Sequence, residues 1–309
     1  MEGSKRNVKL AGIHFLLTYQ CNFECDHCFV WGSPSTKGTF KLRQIRKIYN
    51  EAKKLGTVKW IYFEGGEPFL YYPIMLRALR EAKQLGFKTG IVTNIYWATS
   101  VEDALEWLRP IAKIGIDDVS FSVDPYHYEL IETEEAKKAV KAAKKLGLPV
   151  GIISIKHPNT HKKPPTHIEG VEVGYWELMY RGRAASQLLE KAPRKAWTEF
   201  NKCPYEDLAN PGRIHLDPLG YIHVCQGLCI GNAWQKPFSE IIGSYDPSSH
   251  PIVEPLLRGG PAALIEEFNL SHEQTYVDAC HLCYTARLQL RPRFSEVLSP
   301  GQMYGEEIE

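Results

Sequence analysis

Short apolar runs recur through the first two thirds of the chain and predict buried strands. Five runs stand out, over residues 13–18, 59–63, 88–93, 118–123 and 150–155. An uninterrupted run such as 13–18 is typical of a strand in a parallel sheet that is covered on both faces. A sixth strand is predicted somewhere within residues 171–179.

Between these runs, apolar residues recur with the period of a helix. Four helices are predicted, over residues 42–55, 74–85, 101–112 and 134–146. Gly56, Gly86 and Gly147 follow three of them as helix terminators, and Ser100 is expected to cap the helix over 101–112. Strand–helix units with short connections predict a parallel α/β structure, and five or six units, rather than eight, predict an incomplete barrel.

The pattern changes after Arg183. Prolines at 193, 204, 211 and 218 interrupt the helical period, and short strands are predicted over residues 213–216 and 221–224. We therefore expect two domains, a partial barrel over residues 1–190 and a small α+β domain over residues 191–309.

Composition excludes several classes of function. The chain has 309 residues, 44% hydrophobic and 24% charged, which suits a soluble globular protein. A formal net charge of +1 gives no global field that would attract nucleic acid or an anionic membrane. The polar N-terminus and the absence of a long apolar run predict a cytoplasmic protein without a membrane partner.

The eight cysteines fall into two groups. Three lie within residues 21–28 and five lie at or after residue 203. Without a secretion signal they are better interpreted as metal ligands than as disulfides. Two separate groups predict two metal centres.

The first group is Cys21, Cys25 and Cys28, directly after the first predicted strand. Three thiolates at this spacing can hold three irons of a cubane [4Fe–4S] cluster, which leaves the fourth iron open to a small molecule. Half of a zinc site is the alternative, although zinc takes four ligands.

This C-x3-C-x2-C spacing resembles the signature of the radical S-adenosylmethionine (SAM) superfamily. The resemblance implies that the open iron binds the amino and carboxylate groups of SAM, and that reduction releases a 5′-deoxyadenosyl radical. It also implies a partial (β/α)6, TIM-like barrel and a reducing partner such as ferredoxin or flavodoxin.

A second motif follows the second predicted strand, in Glu64-Gly65-Gly66-Glu67-Pro68. Two glycines let backbone approach a ligand closely, and a carboxylate can accept from an ammonium group. The motif resembles the Gly-Gly-Glu-Pro of the same superfamily, which implies that Gly65, Gly66 and Glu67 meet the SAM amino group. A structural turn is the alternative.

Other candidate SAM contacts follow later strands. The resemblance implies that polar side chains at these positions bond the SAM ribose and carboxylate, and that a residue just before the last cysteine lies near adenine. The candidates are His27, Thr93, Asn94, Ser122 and Asp124. Each can also be explained by turn chemistry or solvent exposure.

The C-terminal cysteines resemble a twitch domain, a shortened form of the SPASM domain that holds one auxiliary cluster. The implied ligands of this auxiliary [4Fe–4S] cluster are Cys203, Cys225, Cys280 and Cys283. Cys229 competes with Cys203 for the fourth position, or stays free as a hydrogen donor. A four-cysteine zinc site is the alternative.

These resemblances imply an oxidoreductase-type radical SAM enzyme acting on a small molecule or short peptide. An auxiliary cluster that accepts an electron would give oxidation or cross-linking, whereas a thiol that returns hydrogen would give epimerisation or rearrangement. A non-catalytic iron–sulfur or zinc redox sensor is a third possibility, although a sensor does not need Gly65-Gly66-Glu67.

Overall fold

The computed structural model describes residues 8–128, 131–158, 164–190 and 192–306. The strands are β1 Gly12–Thr18, β2 Trp60–Gly65, β3 Lys88–Thr93, β4 Asp118–Ser122, β5 Val150–Ile155, β6 His167–Ile168, β7 Val171–Trp176, β8 Lys195–Ala196, β9 Arg213–Leu216, β10 Tyr221–Cys225, β11 Leu228–Asn232 and β12 Thr275–Tyr276. The α-helices are α1 Leu42–Leu55, α2 Tyr72–Gln84, α3 Val101–Ile114, α4 Glu134–Lys145, α5 Ala184–Gln187, α6 Phe238–Ser244, α7 Val253–Phe268 and α8 Ala279–Leu290. Short 3-10 helices cover Pro68–Tyr71, Trp197–Glu199 and Gly301–Tyr304.

Six parallel strands form the centre of the fold, in the order β1-β2-β3-β4-β5-β7. Helices α1 to α4 make the first four crossovers, whereas the described residues between β5 and β7 hold only the short strand β6. The sheet is an open, partial barrel, so the predicted fold class is confirmed. Ser100 caps α3 through its hydroxyl, as expected.

The alternation of side chains along β1 separates two faces of the sheet. Phe15 packs against Phe63 of β2 and Tyr49 of α1, with ring centroids 5.3 and 5.9 Å apart, so this face lies under the helices. His14 lies on the other face and stacks on Tyr62 of β2. The helix-covered face is the hydrophobic core, and the concave face carries polar groups.

The C-terminal segment extends the same sheet beyond β1. Strand β9 pairs in parallel with β1, and β10 and β11 follow in antiparallel order, which gives one ten-stranded sheet. Helices α7 and α8 pack on each other beyond it. The division near residue 190 stays a prediction, while the pairing places the C-terminal residues beside the strand that leads to Cys21.

Candidate functional site

The cysteine loop begins where β1 ends. The amide of Cys21 donates to the carbonyl of Ser33 at 3.0 Å, which closes the loop at its base. Two sulfurs accept backbone N–H groups, Cys21 Sγ from Phe23 at 3.4 Å and Cys28 Sγ from Gly32 at 3.2 Å. Such N–H···S bonds stabilise negative charge on sulfur and tune iron–sulfur centres.

Arg183, which follows the last parallel strand of the barrel, β7, binds this loop. Its guanidinium donates to the carbonyls of Cys25 at 2.6 Å and Gly32 at 3.0 Å, and its own amide donates to the carbonyl of Cys28 at 3.0 Å. The side chain is buried and lies over the ring of Trp31. No local motif predicts this contact, because the arginine lies 158 and 151 residues after the two residues whose carbonyls its guanidinium contacts.

The Gly65-Gly66 turn packs against the residues that lead into the loop. The amide of Gly66 donates to Thr18 and that of Glu67 to Gln20, at 2.7 and 2.8 Å. A Cβ on Gly66 would lie 2.0 Å from the Gln20 carbonyl oxygen, and Gly65 has φ +121°. In this structure the two glycines allow the ends of β1 and β2 to touch.

Glu67 is fully buried and fastens the end of β2 to the end of β3. Its Oε1 accepts from the amide of Phe69 and the hydroxyl of Thr93, both at 2.9 Å, and its Oε2 accepts from the amide of Asn94 at 2.8 Å. Burial raises the pKa of Glu67 to about 7. The carboxylate thus has three protein donors around it, where the sequence led us to expect an ammonium group.

Asn94 connects this network to the cysteine loop. Its amide nitrogen donates to Asn22 Oδ1 at 2.9 Å and lies 3.6 Å from Cys21 Sγ. The structure therefore brings Glu67, Thr93 and Asn94 to the first cysteine through one chain of hydrogen bonds.

His27 and Asp124 meet on the other side of the loop. His27 stacks on Tyr126 at 4.4 Å, and its Nε2 lies 3.7 Å from Asp124 Oδ2. The other oxygen of Asp124 accepts from the amides of Tyr126 and His127 and contacts the His127 ring at 2.8 Å. Ser122 lies at the end of β4, two residues before Asp124.

The imidazole of His27 is partly exposed and has one buried atom available to a ligand. Burial lowers its pKa to about 4, so the ring is neutral near pH 7. Its Nδ1 has no hydrogen-bond partner among the residues that the structure describes. A buried polar atom of this kind is expected to meet a partner when the site is filled.

Four of the five C-terminal cysteines line one small cavity. They come from a loop, the end of β10 and one face of α8: Cys203, Cys225, Cys280 and Cys283. Burial raises the pKa of Cys283 to about 11 and that of Cys280 well above its usual range. Both are thiols near neutral pH unless a metal takes the proton's place.

Two buried arginines also line this cavity. Arg181 donates to Cys225 Sγ at 3.3 Å. Arg287 is 1% exposed and donates to the Gln226 carbonyl at 2.7 Å, while its Nε has no partner in the described residues. Buried cations need negative charge nearby, and metal-bound thiolates supply it.

Cys229 lies apart from the four. Its sulfur is 2.8 Å from the carbonyl oxygen of Ser299 and 3.3 Å from His223 Nδ1, and it is fully buried. The other nitrogen of His223 lies 3.0 Å from Asp217, which accepts from the hydroxyl of Tyr19 at 2.8 Å. Burial raises the pKa of Cys229, so this residue is a protonated thiol.

A comparison with protein families identifies the family to which this chain belongs. The model of the radical SAM superfamily matches residues 15–169, half of the chain. The protein belongs to the radical SAM superfamily. Membership in this family of enzymes implies SAM and a [4Fe–4S] cluster as cofactors.

Relatives of this radical SAM protein differ in what they act on. YydG of Bacillus subtilis (strain 168), which is named for a role in peptide biosynthesis, is 22% identical over 267 residues, covering 84% of this chain and 74% of YydG. A cofactor-modifying protein for tungsten-containing aldehyde ferredoxin oxidoreductase from Pyrococcus furiosus is 35% identical over 113 residues. That match spans 36% of this chain and 30% of the Pyrococcus protein.

Among solved structures, BtrN in complex with AdoMet and 2-DOIA is 14% identical, with a TM-score of 0.43, covering 77% of this chain and 83% of BtrN. Streptococcus suis SuiB bound to the precursor peptide SuiA is also 14% identical, with a TM-score of 0.46, covering 88% and 76% of the two chains. No helix in the described residues of this radical SAM protein has the length and apolar character needed to span a bilayer.

The spacing of the sulfurs tests which metal group fits. No three of the eight cysteine sulfurs, all of which lie in the described ranges, are within 4.8 Å of one another. Four thiolates on one zinc ion at 2.3 Å would be about 3.8 Å apart. Neither set is therefore as compact as a zinc site in this structure, and membership in the radical SAM superfamily implies a [4Fe–4S] cluster.

Proposed function

We propose that this enzyme abstracts a hydrogen atom from an unactivated C–H of a short peptide and then oxidises or cross-links the resulting radical. The peptide class rests on the likeness to YydG, which extends over most of both chains. A small-molecule substrate is the alternative, because other relatives include nucleotide dehydratases and GTP 3′,8-cyclases.

In this proposal Cys21, Cys25 and Cys28 hold the SAM-binding cluster. The support is the loop geometry, in which backbone amides point at two of the three sulfurs and Arg183 fixes the loop's carbonyls. His27 offers its unpartnered Nδ1 at the rim of the same site. Glu67 acts through Asn94, because its carboxylate accepts from the backbone amide of Asn94, whose side chain contacts the loop.

The auxiliary cluster is assigned to Cys203, Cys225, Cys280 and Cys283. The observation that carries this assignment is the shared cavity with two buried arginines, from which Cys229 is absent. Four protein ligands leave no open iron, so this centre suits electron transfer. Arg181 and Arg287 balance the negative charge that a cluster with four thiolates brings into a buried site.

The reaction is an oxidation with a simple balance. The substrate gives up one hydrogen atom, then one electron and one proton, so the product has two hydrogens fewer. When bound, SAM and the reduced cluster would together supply the radical that takes the hydrogen atom, and the auxiliary cluster would accept the electron. The protein holds both centres and keeps water from the radical.

Product mass tests this proposal against epimerisation. Candidate peptides would be incubated with cluster-loaded enzyme, SAM and a reductant in deuterated water. Oxidation or cross-linking predicts a product lighter by two hydrogens. A product that has lost no hydrogen overall, but carries one deuterium in place of a hydrogen, would refute the oxidation and favour a thiol as hydrogen donor. Cys229, as a buried protonated thiol, would then be the residue to replace.

Iron content tests the auxiliary ligands. Wild-type protein should hold about eight irons, two cubanes of four. Cys229→Ala should keep that number, because its sulfur lies outside the cavity, whereas Cys203→Ala should lose or degrade one cluster. The reverse result would exchange the two assignments, and zinc at this site would refute the electron-acceptor role. Joint replacement of Cys21, Cys25 and Cys28 by Ala should abolish SAM cleavage and keep the auxiliary iron.

A further inference from the structure

Three neighbouring strands place two imidazoles and a carboxylate together on the concave face of the barrel. His14 of β1 lies opposite His215 of β9, and Glu64 lies one residue before the end of β2, on the other side of β1. Glu64 Oε1 is 2.8 Å from His215 Nε2 and 3.3 Å from His14 Nδ1. One potential ligand atom from each residue lies within 4.8 Å of the other two. This group is separate from both sets of cysteines.

The group is held rigidly and has open space beside it. His14 stacks on Tyr62 at 4.6 Å, and its ring lies 5.3 Å from that of His215. A cavity of about 520 Å³ is lined by His14 and Tyr62 and also by Glu206, Asp207 and Arg213, with Arg213 Nη2 3.6 Å from a carboxylate oxygen of Glu206. Ligands that are fixed by paired strands are preorganised, which lowers the entropic cost of binding.

The donor atoms suit a cation. The carboxylate oxygen Glu64 Oε1 lies next to one nitrogen of each imidazole, at 2.8 Å from His215 and 3.3 Å from His14. Neutral imidazole and ionised carboxylate are the forms that bind metal ions.

We propose that His14, Glu64 and His215 bind one divalent first-row metal ion, such as Mn²⁺ or Fe²⁺. Two imidazoles and one carboxylate form a known donor set for such ions, and it leaves coordination positions free. His14 is the member of the group that lines the cavity, which leaves room beside this residue for water or another oxygen ligand to complete the coordination.

Binding of Mn²⁺ tests this site, because Mn²⁺ prefers nitrogen and oxygen ligands to thiolates. Cluster-loaded protein would be dialysed anaerobically against Mn²⁺, and bound manganese and iron would be counted separately. Wild-type protein should bind one Mn²⁺ per chain. Glu64→Gln and His215→Gln should each weaken binding at least tenfold while keeping the iron content, which shows that the variants fold.

Asp207→Asn is the matched control, since Asp207 lines the same cavity but lies outside the group of three. It should bind Mn²⁺ within about twofold of wild type. Pulsed electron paramagnetic resonance of bound Mn²⁺ should show nitrogen coupling, which His215→Gln reduces. No saturable binding by wild-type protein, or equal affinity in Glu64→Gln, would overturn the proposal and leave the three residues as a structural ion pair.

Discussion

Replacing Glu67 by Ala should destabilise the protein in a way that depends on pH. The variant removes the acceptor of three buried donors, the amides of Phe69 and Asn94 and the hydroxyl of Thr93. A buried donor without a partner costs about 1–3 kcal/mol, so the two amides alone amount to about 2–6 kcal/mol. A smaller effect of opposite sign stabilises the variant, because it no longer has to bury an ionised carboxylate.

The sign of the pH dependence follows from the pKa. Burial raises the pKa of Glu67 from 4.5 to about 7, so between these values the folded protein binds a proton that the unfolded chain releases. The stabilisation from this proton is present at low pH and is lost as pH rises through about 7. Between about pH 5.5 and about pH 8.5 the difference amounts to about 2 kcal/mol. Glu67→Ala should therefore destabilise the protein more at the acidic end.

Urea denaturation at both pH values, under anaerobic conditions with clusters loaded, measures the difference in unfolding free energy between variant and wild type. Glu106→Ala is the control, because that side chain is 75% exposed in a surface pair with Arg109 and should have little effect at either pH. Equal destabilisation at both pH values would refute the raised pKa. A loss below about 1 kcal/mol at the acidic end would refute the role of Glu67 as the acceptor for these amides.

Two further replacements test the metal centres. Gly66→Ala places a Cβ 2.0 Å from the Gln20 carbonyl oxygen, so it should lower the iron content at the first site and destabilise the protein by about 1–3 kcal/mol in thermal denaturation. Gly243→Ala is the control and should keep the iron, because a Cβ at this position meets open space. Equal iron in both variants would refute the steric argument. Arg287→Gln should make the reduction potential of the proposed auxiliary cluster more negative in a spectroscopic redox titration, because the buried positive charge that it removes favours the reduced cluster. An unchanged reduction potential would refute this effect.

Periodicity predicted the barrel well because its elements are local. The helix predicted over 42–55 and the strand over 150–155 have the bounds that the structure gives to α1 and β5. The strand predicted over 59–63 instead runs to Gly65, since that glycine still pairs with Thr18 while its positive φ begins the turn. A glycine in the sequence indicates the end of a strand, whereas in the structure the sheet pairing continues through Gly65.

The C-terminal half was harder to predict because its structure depends on distant partners. Strand β9 pairs with β1, about two hundred residues earlier, and no local pattern indicates which edge it joins. Helix α7 passes through Gly259 and Gly260, which have non-helical dihedral angles before Pro261, so its sequence resembles a loop. Cysteine spacing was informative where local patterns were not, since the structure places the four expected auxiliary ligands around one cavity.

The two cysteine groups are linked by three consecutive residues, Arg181, Gly182 and Arg183. Arg181 donates to Cys225 Sγ, and Arg183 donates to the carbonyl of Cys25. Gly182 lies between them with φ +60°, where a Cβ would be 2.6 Å from the carbonyl oxygen of Cys28. Each arginine is buried, so neither can move without leaving polar groups unpaired. The separation of the two cysteine groups is therefore fixed by a segment that is too short to stretch.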